Sequence, residues 1–110
     1  MILPAVSIRQ PWAELIISHG KDVENRTWKC PAKCVNRLVL IHASKKWEVV
    51  SDLRFIHELK ACSQKVLSLG GIVGAFVIIS GNDGNSESKW AERLCFHWMI
   101  EKAWPLPFFA

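Results

Sequence analysis

Ser7-Ile8-Arg9-Gln10-Pro11-Trp12 and, after seven intervening residues, Gly20-Lys21-Asp22-Val23-Glu24-Asn25-Arg26-Thr27-Trp28 carry most of what this chain discloses. Val6-Ser7-Ile8 reads as a short strand, and Arg9-Gln10-Pro11 turns out of it into a helix. Pro11 suits the first helical position, where its missing N–H would have had no intrahelical acceptor. Trp12, Leu15 and Ile16 recur at helical spacing, and Gly20 stands just past the end, where a left-handed cap is wanted. The spacing predicts a helix over residues 11–18. Lys21 follows at a turn. Glu24-Asn25-Arg26-Thr27-Trp28 then alternates as a strand does, which places Glu24, Arg26 and Trp28 on one face.

Further along, residues 30–36 form a basic loop with Pro31. Leu38-Val39-Leu40-Ile41-His42-Ala43 is a continuous apolar run, the pattern of a strand covered on both faces, and Ser44-Lys45-Lys46 leaves it. From about Ser51, a plausible N-cap, Phe55, Leu59, Cys62 and Val66 recur on one helical stripe, ended by Gly70-Gly71. Residues 72–80 form a second apolar strand in which Gly74 marks a bulge or a close backbone approach. Gly81-Asn82-Asp83-Gly84-Asn85 is a loop. Leu94, Phe96, Trp98 and Ile100 alternate with Cys95, His97 and Met99 as a third strand, and Pro105-Leu106-Pro107 closes the regular structure. A parallel βαβ layout has two objections: no glycine-rich phosphate loop follows a strand, and only two helices are long enough to cross over. The expected fold class is therefore α+β, a small mixed β-barrel flanked by helices.

At 110 residues the chain is read as one domain, residues 1–110. Half of the residues are hydrophobic and 22% are charged, which excludes disorder. Met1-Ile2-Leu3-Pro4-Ala5-Val6 has no basic leader segment, and no apolar run approaches the roughly 18 residues of a membrane span. The expectation is a cytoplasmic protein with no membrane partner. Its four cysteines then read as free thiols. Cys30 and Cys34 are spaced C-x3-C with no matching second pair, so neither a metal nor another cofactor is expected. The net charge is +4, and residues 1–48 hold all of the excess: eight Lys/Arg against four Asp/Glu, with six of each afterwards. A basic first half favours an anionic partner such as nucleic acid; a solvated surface with a mild bias is the plain alternative.

The two opening stretches resemble the start of ASCH domains (activating signal cointegrator homology). The family signature G-x-K-x-x-E-x-R is matched from its lysine onward by Lys21, Glu24 and Arg26, with the glycine directly before the lysine. Leu40-Ile41-His42-Ala43-Ser44 resembles the family's second strand and Gly71-Ile72-Val73-Gly74 a later one. His97-Trp98 and Pro105-Leu106-Pro107 resemble its end. The resemblance implies a PUA-like β-barrel with a cleft on one side and an RNA or single-stranded nucleic-acid partner. Relatives commonly carry one more strand beyond P-L-P, whereas this chain stops at Phe108-Phe109-Ala110. Either the barrel closes with a shorter edge or the chain is truncated, and an open edge would be an association hazard.

Within that frame Lys21, Glu24 and Arg26 are the leading site residues. One carboxylate between two cations is held ionised and oriented, and positive charge remains for a phosphate. Arg26 offers a bidentate fork and Lys21 a point charge. The plain alternative is a local salt bridge on the barrel rim. Trp12, Trp28 and Trp98 are candidate base-stacking platforms, Trp12 foremost, although most of the six tryptophans should be core. Arg9 and Gln10 at the Pro11 corner, with Ser7, His42 and Ser44, complete the RNA-binding set. Lys21 and Glu24 are also the candidate catalytic pair, for hydrolysis of RNA or of an acylated nucleoside. ASCH-like acetylcytidine amidohydrolases use a lysine at the position of Lys21 but a threonine at that of Glu24, so their triad is not reproduced. A protein-interaction domain, marked by an apolar surface patch, is the third alternative.

Overall fold

A computed structural model describes residues 2–110; Met1, part of the segment expected to lack a leader, lies outside the described residues. The chain runs β1 (Ala5–Gln10), α1 (Trp12–Ser18), β2 (Val23–Arg26), β3 (Leu38–Trp47), α2 (Ile56–Ser63), β4 (Gly71–Ser80) and β5 (Phe96–Phe109). Short 3-10 turns occupy Ala32–Cys34 and Leu53–Phe55. The α+β class is as expected, and none of the helices is long and apolar enough to cross a membrane.

All five strands join one sheet in the order β1-β3-β4-β5-β2. β1 runs parallel to β3 and every other pairing is antiparallel. The expected barrel does not close, because β1 and β2 stand at the two ends of that order and share no ladder. They nevertheless come close together. Four strand spacings of about 4.8 Å would separate them by roughly 19 Å in a flat sheet. A single side chain bridges them instead, Arg26 Nη2 donating to the Ser7 carbonyl at 2.7 Å. The sheet is curled into an open trough whose seam is filled by side chains.

Burial explains where the elements fall. In β3, Val39, Ile41 and Ala43 are buried and alternate with half-exposed Leu40, His42 and Ser44, so one face is fully covered rather than two. The strand also continues through Ser44-Lys45-Lys46 to Trp47, beyond the expected exit. α1 lies against β1, β4 and β5. Its Ala13 and Ile16 join Ile8, Val39, Ile41, Phe76, Ile78 and Trp98 in the main core. Leu15, one residue round the helix, belongs to a second cluster with Val23, Phe55, Cys62 and Trp90. Phe55 stacks on Trp90 at 4.2 Å between ring centroids, while the edge of Trp12 meets Phe55.

Several boundaries differ from the sequence reading, each for a packing reason. Pro11 precedes α1 as its N-cap, following a cis Gln10–Pro11 bond. α2 starts at Ile56; Asp52, not Ser51, caps the preceding turn by accepting the Arg54 N–H. Val66 is fully exposed beyond the helix end, so the apolar stripe stops at Cys62. Leu94 is fully exposed in a left-handed conformation (φ 61°), and β5 begins only at Phe96. At its other end, Pro105-Leu106-Pro107 continues β5 alongside β4 as far as Phe109. β5 thus changes partner midway, pairing β2 from Phe96 to Met99 and β4 from Met99 to Phe109.

Gly74 proves to be both a bulge and a close approach. The register shifts beside it in both ladders, and a Cβ there would lie 2.6 Å from the Trp104 carbonyl oxygen and 2.7 Å from Ile17 Cδ1. The carbonyl belongs to the neighbouring backbone and cannot rotate away. Gly74→Ala should therefore destabilise the fold by about 1–3 kcal/mol in urea unfolding. An alanine variant as stable as the parent would contradict the register of β4 against β5.

Candidate functional site

The seam between β1 and β2 opens into a cleft of about 560 Å³, within the size range of small-ligand sites. Three elements deliver its residues. The helix α1 places Trp12 on one wall. Gly20, left-handed at φ +76°, then lets the chain double back, with the Lys21 N–H donating to the Leu15 carbonyl at 3.1 Å. This return drops Lys21 into the base of the cleft directly before β2, which supplies Glu24 and Arg26.

Charges there are tightly committed. Glu24 Oε1 lies 3.6 Å from Lys21 Nζ, and its Oε2 accepts from Arg26 Nε at 2.9 Å. Lys21 also donates to the Val23 carbonyl, and its ammonium sits 5.1 Å from the centre of the Trp12 ring. Only 3% of Lys21 and 7% of Glu24 is exposed, so this is a buried ion network and not a rim salt bridge. Burial pulls the Lys21 pKa below its ordinary value, and attraction from Glu24 opposes part of that shift. Arg26 packs between Trp28 and Trp98, its guanidinium carbon 5.4 and 5.5 Å from their ring centres. Although β2 ends at Arg26, Trp28 still meets the guanidinium as the shared-face reading required.

The upper walls are looser. Trp12 Nε1 donates to Glu48 Oε2 at 2.8 Å, and Glu48 pairs with half-exposed Arg9 at 3.6 Å. Ser44 accepts the Lys46 N–H, and both residues face the cleft. On the opposite side Asn25 accepts the Glu92 N–H and donates to the Trp90 carbonyl, fastening that loop against β2.

Of the residues singled out from sequence, Ser7, Arg9, Trp12, Lys21, Glu24, Arg26 and Ser44 converge on this cleft. Gln10 does not. It is buried on the other side of β1, where its amide donates to the Ser68 carbonyl and accepts the Glu14 N–H. Strand alternation accounts for that: Gln10 extends β1 and points away from Arg9. His42 also lies outside the lining, behind Ser7, whose hydroxyl is 3.1 Å from its Nδ1. Lys46, Glu48, Asn25 and Glu92 were missed. Asn25 stood inside the quoted motif and could have been found; Glu48 and Glu92 are far from it in sequence and carry no local signal. Among the described residues, no three His, Cys, Asp or Glu side chains gather as a metal site would need. The cysteines are free, and burial beside Cys34 raises the Cys30 thiol to about 11.

The family model of the ASCH domain matches residues 6–105, a span that takes in nearly all of the strands and both helices. The chain belongs to the ASCH family. ASCH domains are part of the PUA-like superfamily, and in this one the signature residues Lys21, Glu24 and Arg26 form the floor of the seam cleft. No curated protein matches the chain.

The network predicts an order of stabilities. Glu24→Gln leaves the buried Lys21 ammonium and the half-buried Arg26 guanidinium without their shared carboxylate and should lose about 3 kcal/mol in urea unfolding. Lys21→Met removes one buried charge while Arg26 still neutralises Glu24, and should lose less than half as much. Equal losses, or the reverse order, would show that Glu24 is not the common partner.

Proposed function

We propose that this ASCH domain is an RNA-binding module whose seam cleft receives one unit of a single-stranded RNA. The observation that carries the reading is the convergence of Arg26, Lys21, Arg9, Ser7 and Ser44 with the Trp12 ring in one 560 Å³ cleft. Flat aromatic walls, hydrogen-bonding side chains and fixed cations are what an unstacked nucleotide requires. The cleft is only mildly basic, since Arg9, Lys21, Arg26 and Lys46 face Glu24, Glu48 and Glu92. Carboxylates beside cations present both acceptors and donors, which suits the edge of a base as well as a phosphate. Four free thiols fit the reducing cytoplasm as the place of action.

Binding of a single-stranded oligoribonucleotide should weaken between 50 and 200 mM salt. Replacing Arg26 by Ala should weaken it by about 1–3 kcal/mol, and Arg26→Lys should restore little, because the lysine lacks the planar fork. Fluorescence anisotropy with each folded variant reads both effects. An affinity indifferent to salt and to Arg26 would end this reading.

One observation favours a second reading, hydrolysis of RNA or of an acylated nucleoside. Lys21 is buried with a lowered pKa and stands 3.6 Å from Glu24, an arrangement suited to passing a proton. With His42 outside the lining, Glu24 is left as the base that would activate a water or a 2′-hydroxyl, and Lys21 and Arg26 as the cations facing the developing charge. Glu24→Gln keeps the shape and removes the base. Turnover of acetylcytidine or of RNA that survives this substitution, assayed below its melting temperature, would exclude Glu24 as that base.

A further inference from the structure

The cleft does not account for the basic first half of the chain. Its four cations meet three carboxylates, so the lining carries little net charge, and Lys21 and Arg26 share the single carboxylate of Glu24. The excess charge lies elsewhere, on residues 27–37, which hold Lys29, Lys33 and Arg37 and no carboxylate. All three cations are exposed, and none makes an ion pair or a side-chain hydrogen bond among the described residues.

This stretch is held in a defined place. The Cys30 N–H donates to the Gly81 carbonyl at 3.0 Å and the Asn36 N–H to that of Ile78 at 2.7 Å, while Cys30 and Cys34 are buried beneath it. Its two anchors, Ile78 in β4 and Gly81 just past its end, are three residues apart, roughly 10 Å of extended chain. The three cations thus project from a fixed ribbon whose anchored part spans between one and two nucleotide steps, given some 6–7 Å between extended single-strand phosphates.

At the cleft end of the ribbon stands Trp28, 53% exposed. Its backbone carbonyl is fixed by Trp98 Nε1 at 3.0 Å, and its ring lies beside Arg26, which lines the cleft. What sets this exposed indole apart from Trp47 is its place between the cleft arginine and the cationic ribbon, and every nucleobase has a face that stacks on such a ring.

We propose that residues 27–37 form a second nucleic-acid subsite: a base adjoining the one in the cleft stacks on Trp28, and the phosphates beyond it track along Lys29, Lys33 and Arg37. This rests on the reading of the cleft as a nucleotide site and extends it, the cleft holding one unit and the ribbon giving most of the electrostatic affinity. The strand must be single, because a base inside a duplex cannot reach the Trp28 face.

The test compares a fluorescein-labelled single-stranded RNA heptamer with the four ribonucleoside 5′-monophosphates. The variants are K29A/K33A/R37A, W28A, W28F and R26A, each checked for folding by its unfolding midpoint. The triple variant should bind the heptamer with a salt slope shallower by about 2, at roughly 0.7 per lost phosphate contact on a single strand. Its affinity for the monophosphates should be unchanged. W28A should weaken heptamer binding at least fivefold, and W28F should recover most of that loss by stacking. Heptamer affinity and salt slope unaltered in the triple variant would overturn the subsite while leaving the cleft reading to be judged by R26A. Heptamer binding that depends on the ribbon but ignores R26A would keep the subsite and remove the cleft. Polyglutamate competing as well as RNA of equal charge would overturn the nucleic-acid assignment in favour of an acidic protein partner.

Discussion

Glu24 has two cations to hold, one on each side of its carboxylate, and the arrangement of the cleft follows from that. Its two oxygens point at different partners, Lys21 Nζ and Arg26 Nε, and Arg26 goes on to reach the Ser7 carbonyl in β1. The network therefore ties the turn after α1, the edge strand β2 and the opposite edge strand β1 into one unit. In a low-dielectric setting the buried Lys21 needs that carboxylate far more than it would in water. Trp12 lies beside the Lys21 ammonium, and Trp28 and Trp98 lie beside the Arg26 guanidinium.

An open sheet makes such a network necessary. Curling brings β1 and β2 near each other without letting them share a ladder, so backbone groups along the seam lack strand partners. One of these, the Ser7 carbonyl, is satisfied by Arg26. The rest of the seam is where the cleft opens. A closed barrel would have hydrogen-bonded this gap away and left no concavity, so the incomplete closure and the site are the same feature. The far half of β5, past its pairing with β2, meets the edge problem differently, carrying Pro105 and Pro107, which remove two N–H donors from the strand.

Charge is distributed in two distinct ways. In the cleft it is nearly balanced, with Lys21 and Glu24 buried at the floor and Arg9 paired with Glu48 on the looser wall, which favours selective hydrogen bonding over attraction at a distance. On the ribbon of residues 27–37 it is exposed, unpaired and of one sign, which attracts a polyanion at long range but discriminates little. A net charge of +4 conceals this division. A ligand able to use both surfaces gains attraction from one and orientation from the other.

Local signals were legible in the sequence wherever the cause was local. Gly20 beyond Trp12, Leu15 and Ile16 marked the end of α1, and the alternation of Glu24 and Arg26 put them on one face of β2. The K-x-x-E-x-R spacing, together with the other motifs in register from Ser7 to Pro107, pointed to the family. Gly74 was marked as a bulge or close approach and is both. What depended on neighbours distant in sequence was not legible. Gln10 was misplaced because β1 continues two residues further than its apolar pattern, and pairing with β3, not composition, extends it. The length of β5 through two prolines was set by β4 alongside it. Val66 and Leu94 looked apolar and periodic, yet nothing packs over them and both stand in solvent. Sequence by itself determined the α+β class, the order of most elements and the three signature side chains, because periodicity, caps and short-range spacing are properties of a few adjacent residues. Only the tertiary structure decided that the sheet stays open, that Lys21 is buried, and that Glu48 and Glu92 complete the cleft. Those outcomes rest on the curl of the sheet and on pairings across it, which no local stretch encodes.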